Sequence, residues 1–89
     1  MRVTQTTITV ANTTTAVLSA EQKRRHLLLI NDSDETIYVG IGKPAVMNEG
    51  VRINSAGGSY EMIDGSVYLH AINAICASGG KKLLVTQGL

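Results

Sequence analysis

The sequence has few of the residues that usually stabilise a small domain. Its 89 residues include three Tyr, one Cys, one Pro, no Phe and no Trp. A single Cys excludes an internal disulfide bond, and Cys76, His26 and His70 supply too few ligands for a structural zinc site. The core must therefore be built from Val, Ile, Leu, Ala and Met, which leaves a domain of this size marginally stable. Oligomerisation or docking on a larger body is the remaining means of stabilisation, so the composition predicts a protein partner.

Strong charge of either sign is also missing. Eight Lys+Arg against seven Asp+Glu give a formal net charge of +1, which is not the basic footprint of a nucleic-acid-binding protein. The first residues lack the continuous apolar segment of a signal peptide, and no apolar run is long enough to span a bilayer. We therefore expect a protein that is made in the cytoplasm and has neither nucleic acid nor membrane as a partner.

Strand signals recur along the whole chain, and no stretch has a convincing helical period. Residues 1–20 are rich in Thr and are interpreted as an N-terminal arm or an additional hairpin around Asn12–Thr13. Residues 20–25 are expected to form a loop or a single turn. Further strands are predicted at residues 26–30, 36–41, 45–47, 51–53, 59–63, 66–77 and 82–87.

These signals together predict an all-β fold of about eight short antiparallel strands in a single domain. The expected architecture is a small β-sandwich or barrel at residues 21–89, preceded by the Thr-rich segment at residues 1–20. The apolar run at residues 27–30 is typical of a strand that is buried on both faces.

Two hairpins are predicted from the turn residues. The polar residues 31–35, Asn-Asp-Ser-Asp-Glu, are expected to join the strands at 27–30 and 37–41, because their side chains bond to their own backbone. Asp64-Gly65 is typical of a two-residue type I′ turn between two paired strands.

Two segments suggest ligand binding, and a simpler interpretation is preferred for each. The acidic cluster at residues 31–35 could ligate Ca²⁺, but it has no glycine within it, so a solvated turn is expected. Gly40-Ile41-Gly42-Lys43 resembles part of a phosphate-binding loop. Pro44 follows where that motif needs a hydroxyl side chain and a helix, which excludes the assignment.

The residues most often used in catalysis are isolated from one another in the sequence. His70 is expected to alternate with Tyr68 and Ile72 on one strand face, and Cys76 is expected to be a small buried hydrophobic residue. Neither residue has the spacing of a nucleophile with its base, and the same holds for His26. We therefore predict no enzymatic activity, no catalytic or metal-binding residue and no cofactor.

Two basic doublets remain, Arg24-Arg25 and Lys81-Lys82. One interpretation is that these side chains simply face water at a loop and at a strand end. The other is that Arg24, Arg25, Lys81 and Lys82 contact an acidic surface of a partner, since Arg can hold carboxylates in a bidentate manner.

The order of strands and turns resembles small β-rich bacteriophage virion proteins, the head-decoration or cement proteins and related capsid-associated proteins. The similarity is carried by RHLLLIN at residues 25–31, IYVGIG at residues 37–42 and GVRI at residues 50–53, and it covers residues 25–89. It implies a jelly-roll or related β-sandwich fold. It also implies a homotrimer located on the capsid surface of a virion, with the major capsid protein or further copies of the chain as partners.

The sequence analysis therefore predicts a virion structural protein that decorates or cements a phage capsid by bridging capsid subunits. The alternative is a recognition module of a phage tail or fibre that binds carbohydrate or a host receptor, for which Tyr38, Tyr60 and Tyr68 are the available aromatic residues. A small cupin-like enzyme would need two or three histidines on facing strands, and the two histidines present argue against it.

Overall fold

The structure is a computed structural model that describes residues 2–63 and 68–89, and in these ranges it contains strands and loops but no helix. The strands form two four-stranded sheets, which confirms the predicted all-β sandwich. Their bounds are β1 (Val3–Val10), β2 (Thr15–Leu18), β3 (His26–Asn31), β4 (Ile37–Ile41), β5 (Val51–Ile53), β6 (Ser59–Met62), β7 (Ile72–Cys76) and β8 (Lys81–Gly88).

The first half of the chain pairs with the second half in reverse order. β1 pairs with β8, β2 with β7, β3 with β6 and β4 with β5, in each case antiparallel. The additional pairs β3–β8 and β4–β7 complete a first sheet of order β1-β8-β3-β6 and a second sheet of order β2-β7-β4-β5. A long antiparallel ribbon wrapped in this way into two facing sheets is the jelly-roll connectivity. We refer to the two as the β1 sheet and the β2 sheet.

The hairpin predicted around residues 31–35 is wrong. β3 pairs with β6 and β8, whereas β4 pairs with β5 and β7, so the two strands lie in different sheets. The intervening residues do turn, but they carry the chain across the sandwich. Packed sheets lie about 10 Å apart, a distance that a five-residue connection can span. Turn chemistry alone therefore does not select between pairing and crossing.

The strands on either side of Asp64–Gly65 are also in different sheets. β6 pairs with β3, and β7 pairs with β2 and β4, so these two strands do not pair with each other. Asp64–Gly65 lie outside the described residues. Tyr68 to Ala71, which the sequence placed within a strand, form an irregular segment before β7.

The strand predicted at residues 45–47 is wrong as well. This segment is a loop in which the backbone N–H of Ala45 donates to Oγ1 of Thr14 at 2.8 Å. Pro44 has no N–H to give to a sheet ladder, and Asn48 adopts a φ of 65°, which ends any extended run. The loop at residues 20–25, by contrast, agrees with the prediction.

The core lies between the sheets and is built from alternate residues of every strand. Leu27 and Leu29 of β3 and Leu83 and Val85 of β8 point inward and are almost wholly buried. The core cluster comprises Val10, Val17, Leu27, Leu29, Ile37, Val39, Ile53, Met62, Ile72, Ala74, Cys76, Leu83 and Val85. It contains no aromatic side chain among its buried members, as the composition predicts, although Tyr60 and Tyr68 pack against its margin.

Residues 3–18 supply one strand to each sheet. β1 runs along β8 in register from Val3–Gly88 to Val10–Lys81, and β2 pairs with β7. The two strands therefore belong to different sheets and do not pair as an additional hairpin. Val10 and Val17 enter the common core, so this Thr-rich segment packs as an integral part of the sandwich.

Removal of residues 1–20 is therefore expected to prevent cooperative folding. The deletion takes Val10 and Val17 out of the core, at about 1.5–3 kcal/mol for each buried side chain, and it leaves β7 and β8 without their edge partners. Total domain stability is only about 5–15 kcal/mol. Far-ultraviolet circular dichroism of residues 21–89 should show no sheet signal and no thermal transition. A transition within a few degrees of that of the full chain would contradict this.

Candidate functional site

The outer faces of the two sheets differ, because the chain covers only one of them. Residues 43–45 of the loop after β4 lie directly on the β2 sheet, where a Cβ added to Gly40 would come within 2.7 Å of the carbonyl oxygen of Lys43. Nδ2 of Asn73 donates to the same oxygen at 2.9 Å, which fastens the loop to β7. Ile75 points away from the core, yet it is only 8% exposed. The loop therefore covers the central part of the β2 sheet, whereas Ala16 and Arg52 on its edge strands stay exposed.

The β1 sheet has no such cover among the described residues. Leu28 and Ile30 alternate with the buried side chains of β3, and Leu84 does the same on β8, so all three point outward and remain partly exposed. Ile30 lies opposite Leu84 in the pairing of β3 with β8, and Leu84 lies opposite Thr7 of β1. The apolar side chains are therefore contiguous across β3 and β8, with Thr7 of β1 beside them.

A shallow groove of about 440 Å³ runs over this surface beside β1. Its walls are apolar side chains of the central strands on one side and hydroxyl and amide side chains of β1 on the other. The residues lining it are Gln5, Thr6, Thr7, Ile30, Leu84, Val85 and Thr86. We use the name open face for the uncharged outward side chains at the centre of the β1 sheet, namely Gln5, Thr7, Leu28, Ile30, Leu84 and Thr86.

Charged groups border the open face and do not enter it. On the β6 side, Nε2 of His26 lies 2.7 Å from Oε2 of Glu61. At the start of β8, Lys82 precedes Leu84 on the same side of the strand and is exposed. An uncharged, partly apolar centre with a polar rim is the usual composition of a protein-binding surface.

Of the four basic residues predicted to face water or a partner, Arg24 lies inside the fold. It is 2% exposed. Its Nε donates to Oε1 of Gln87 at 2.7 Å. Its Nη1 donates to the carbonyl oxygens of Tyr68 at 2.7 Å and His70 at 3.1 Å, and its Nη2 donates to that of Ser19 at 2.8 Å. The guanidinium therefore ties its own β2–β3 loop to the segment before β7 and to strand β8, and burial lowers the pKa of Arg24.

The other three basic residues are at or near the surface and do not form one patch. Arg25 and Lys82 are exposed, and they lie at opposite ends of the β3–β8 pair, since Arg25 precedes β3 and its backbone N–H donates to Gly88 O at 2.7 Å. Nζ of Lys81 donates to Oδ1 of Asp34 at 2.7 Å. The basic residues that the sequence suggests as partner contacts are thus dispersed over the molecule.

The acidic turn at residues 31–35 organises the crossing between the sheets. Asn31 is fully buried, and its Nδ2 donates to the carbonyl oxygens of Glu35 at 2.7 Å and Ile53 at 3.0 Å. The hydroxyl of Ser33 donates to Oδ1 of Asn31 at 2.6 Å. Within the described residues, no group of three or more His, Cys, Asp or Glu is placed to hold a metal ion.

The carboxylates of this turn hold the neighbouring β7–β8 connection. Glu35 accepts from the backbone N–H of Ser78 at 2.7 Å and from the Ser78 hydroxyl at 2.8 Å. These bonds lower the pKa of Glu35, the ammonium of Lys81 lowers the pKa of Asp34, and that same pairing raises the pKa of Lys81. The turn thus fastens one loop to another, as a structural turn would.

The remaining candidate residues lie apart. Cys76 is buried, as predicted, and its Sγ lies 3.4 Å from the carbonyl oxygen of Val10. His70 is not on a strand face: it is exposed in the irregular segment, with its ring 5.2 Å from that of Tyr68. No helix in the described ranges is able to cross a membrane.

Comparison of the chain with protein-family models, with curated proteins and with solved structures gives no match. The open face is a candidate functional surface that the sequence analysis does not identify. Its signal is present in the apolar run at residues 27–30, for which the sequence predicts burial on both faces. In the structure the inward residues Leu27 and Leu29 are fully buried, whereas Leu28 and Ile30 are covered by no other described segment.

The contrast between the two neighbouring arginines gives a direct test of the Arg24 contacts. Arg24→Lys is expected to lower the free energy of unfolding by about 2–4 kcal/mol, because a single ammonium cannot serve the separated acceptors of the guanidinium fork. Arg25→Lys is the matched control and should change it by less than about 0.5 kcal/mol, since the side chain is exposed. Urea denaturation measures both. Equal effects of the two substitutions would contradict the assignment.

The junction between the acidic turn and Ser78 is expected to depend on pH. Glu35 and Asp34 have folded-state pKa values below their ordinary 4.5 and 3.8, so their contribution is present above these values and is lost as the pH falls through the lowered ones. The raised pKa of Lys81 extends the Asp34 pairing to above pH 10.5. The amide resonance of Ser78 should therefore titrate with a midpoint below 4.5.

The control for this titration is Glu35→Gln, in which the acid-dependent movement of the Ser78 resonance should disappear. A midpoint at or above the ordinary Glu value, or an unchanged titration in the variant, would show that the Glu35 carboxylate does not hold Ser78.

Proposed function

We propose that this chain is a structural protein of a bacteriophage virion that decorates or cements the capsid by bridging capsid subunits. The observation that supports this best is the difference between the outer faces of the sandwich. The centre of the β2 sheet is covered by its own loop, whereas the β1 sheet presents an uncharged, partly apolar open face. A surface of this composition on a chain of 89 residues is suited to contact with a larger protein body.

The fold supports the same proposal. A jelly roll presents two broad sheet faces and short connections, and the fold occurs among viral capsid proteins. The aliphatic core is small, so contact with a neighbouring subunit that binds only the folded chain would add stability by mass action. Many weak contacts repeated over a symmetric shell would then supply avidity. We assign the open face to the contact with the capsid protein and place the chain on the capsid surface.

Within this proposal, Leu84 is the central residue of the contact. It lies between Thr7 on one side and Ile30 on the other, and it lines the groove. A charge at this position would have to be desolvated when the face is covered, whereas in the free chain it remains in water.

Co-sedimentation with capsids of the phage that produces the chain tests the proposal. The unmodified chain should sediment with them, and Leu84→Lys should weaken binding at least about tenfold, which corresponds to about 1.4 kcal/mol. Ala16→Lys is the control. It places the same charge on the other sheet, at the exposed residue Ala16 of β2, and this variant should bind capsids normally. Thermal unfolding confirms that both variants are folded.

Two results would contradict the proposal. One is the absence of the chain from purified particles together with no binding to capsids. The other is tight binding of the isolated chain to host glycans, which would favour the tail or fibre recognition module instead.

A further inference from the structure

β1 is a long sheet edge with none of the features that usually protect such edges. Its eight residues, VTQTTITV, include no charged residue and no proline, and Val3 is 57% exposed. It pairs with β8 on one side, and no described residue pairs with its other side. An exposed edge that is long, uncharged and regular is a template for the addition of another strand.

The other three edges of the sandwich contrast with it. β6 has four residues and carries Glu61, β5 has three and carries Arg52, and β2 has four with an irregular register at residues 16–18. Short length, charge and a bulge are the devices by which natural proteins prevent edge pairing. Since the chain uses all three elsewhere, their absence from β1 distinguishes this edge.

The pairing of β1 with β8 determines which backbone groups of β1 are free. Arg2 and Leu89 exchange two hydrogen bonds, with N···O distances of 2.9 Å and 2.8 Å. Bonded and non-bonded pairs alternate along an antiparallel ladder, so residues 4, 6, 8 and 10 bond to β8. The N–H and C=O groups of Val3, Gln5, Thr7 and Thr9 therefore point toward the unpaired side.

We propose that this edge binds β1 of a second copy of the chain in antiparallel orientation, with the twofold axis at Thr6. Val3 of one copy then lies opposite Thr9 of the other, and Gln5 lies opposite Thr7. Each of these pairs exchanges two hydrogen bonds through the groups that are free in the single chain. The two β1 sheets become one continuous sheet of twice the width.

A second copy fits this edge better than an unrelated strand for three reasons. A second β1 has the same length and the same spacing of free groups, so the twofold arrangement pairs all of those on Val3, Gln5, Thr7 and Thr9. The opposed side chains are hydroxyl, amide and apolar groups, so no like charges meet. The register also places the two open faces side by side, because Gln5 and Thr7 lie at the junction, and it extends the groove across both copies.

This contact follows from β1 alone and does not depend on the proposed function. It joins two copies, whereas the resemblance to decoration proteins implies three. A homotrimer would need two different surfaces on each copy to close a ring, and the edges other than β1 are short or charged.

Oxidative cross-linking tests the register. At a non-hydrogen-bonded pair the Cα atoms lie about 4.5 Å apart, so Thr6→Cys should form a disulfide-linked dimer. Thr7→Cys is the matched control. The two Thr7 positions are offset by two residues along the strands, so their Cα atoms would be about 8–9 Å apart, which is too far for a disulfide bond. Cys76 is buried and should not cross-link in the unmodified chain.

Sedimentation equilibrium tests the contact itself. The unmodified chain should form a dimer. The double variant Gln5→Lys/Thr7→Lys should be monomeric at the same concentration, with the dimer dissociation constant raised at least about a hundredfold. Both side chains are exposed and point outward, so the fold should be retained, as circular dichroism can confirm. Thr7→Pro is the second variant, since it removes a free N–H without removing a bond to β8.

Three results would overturn the proposal. The unmodified chain could remain monomeric at millimolar concentration. A dimer or trimer could persist in Gln5→Lys/Thr7→Lys and in Thr7→Pro, which would place the contact on another surface. Thr7→Cys could cross-link as efficiently as Thr6→Cys, which would exclude the register. None of these depends on capsid binding, which is measured separately with Leu84→Lys.

Discussion

The structure depends on side chains that donate hydrogen bonds to backbone carbonyl groups in the loops where the chain passes from one sheet to the other. Carbonyl groups in such loops lie outside both ladders and cannot be left unpaired inside the protein. The two ends of β3 carry the residues that meet this requirement. Arg24, just before β3, donates to carbonyl groups of Ser19, Tyr68 and His70, and Asn31, at its end, donates to those of Glu35 and Ile53. Among the described residues, every buried side-chain nitrogen or oxygen has a partner. These buried polar contacts hold together a sandwich whose aliphatic core is small.

The sequence predicted most strand positions but not the pairing of the strands, and it also predicted a strand at residues 45–47, which form a loop. Residues 37–41, IYVGI, are rich in the β-branched and aromatic residues that favour extended backbone, and this preference depends only on neighbours along the chain. Pairing depends on which sheet a strand joins, and the turn at residues 31–35 has the same composition whether it closes a hairpin or crosses the sandwich. Arg24 shows the same limit for the candidate site. Its partners Tyr68 and Gln87 are 44 and 63 residues away, so nothing near it in the sequence indicates burial.

The functional interpretation follows from what the chain covers and what it leaves open. One sheet is covered at its centre by the loop after β4, and Gly40 permits that close approach. The other sheet keeps Leu28, Ile30 and Leu84 on its outer side and ends in β1, a long edge without charge. The apolar run of β3 predicts a strand that is buried on both faces. A partner on the open face would bury the outer side of β3 in the assembled protein. Contact through the open face would therefore add stability to a domain with a small core, and it would explain why β3 has apolar residues on both of its faces.

The central claim is that this chain functions through the β1 sheet as a component of a virion. An electron cryomicroscopy map of the purified phage particle, at a resolution that separates strands, tests it most directly. We predict density for the chain on the outer capsid surface, with the open face against capsid protein and the loop-covered β2 sheet toward solvent. A particle that lacks the chain, or a chain that contacts the shell through the β2 sheet and leaves Leu84 in water, would contradict the account.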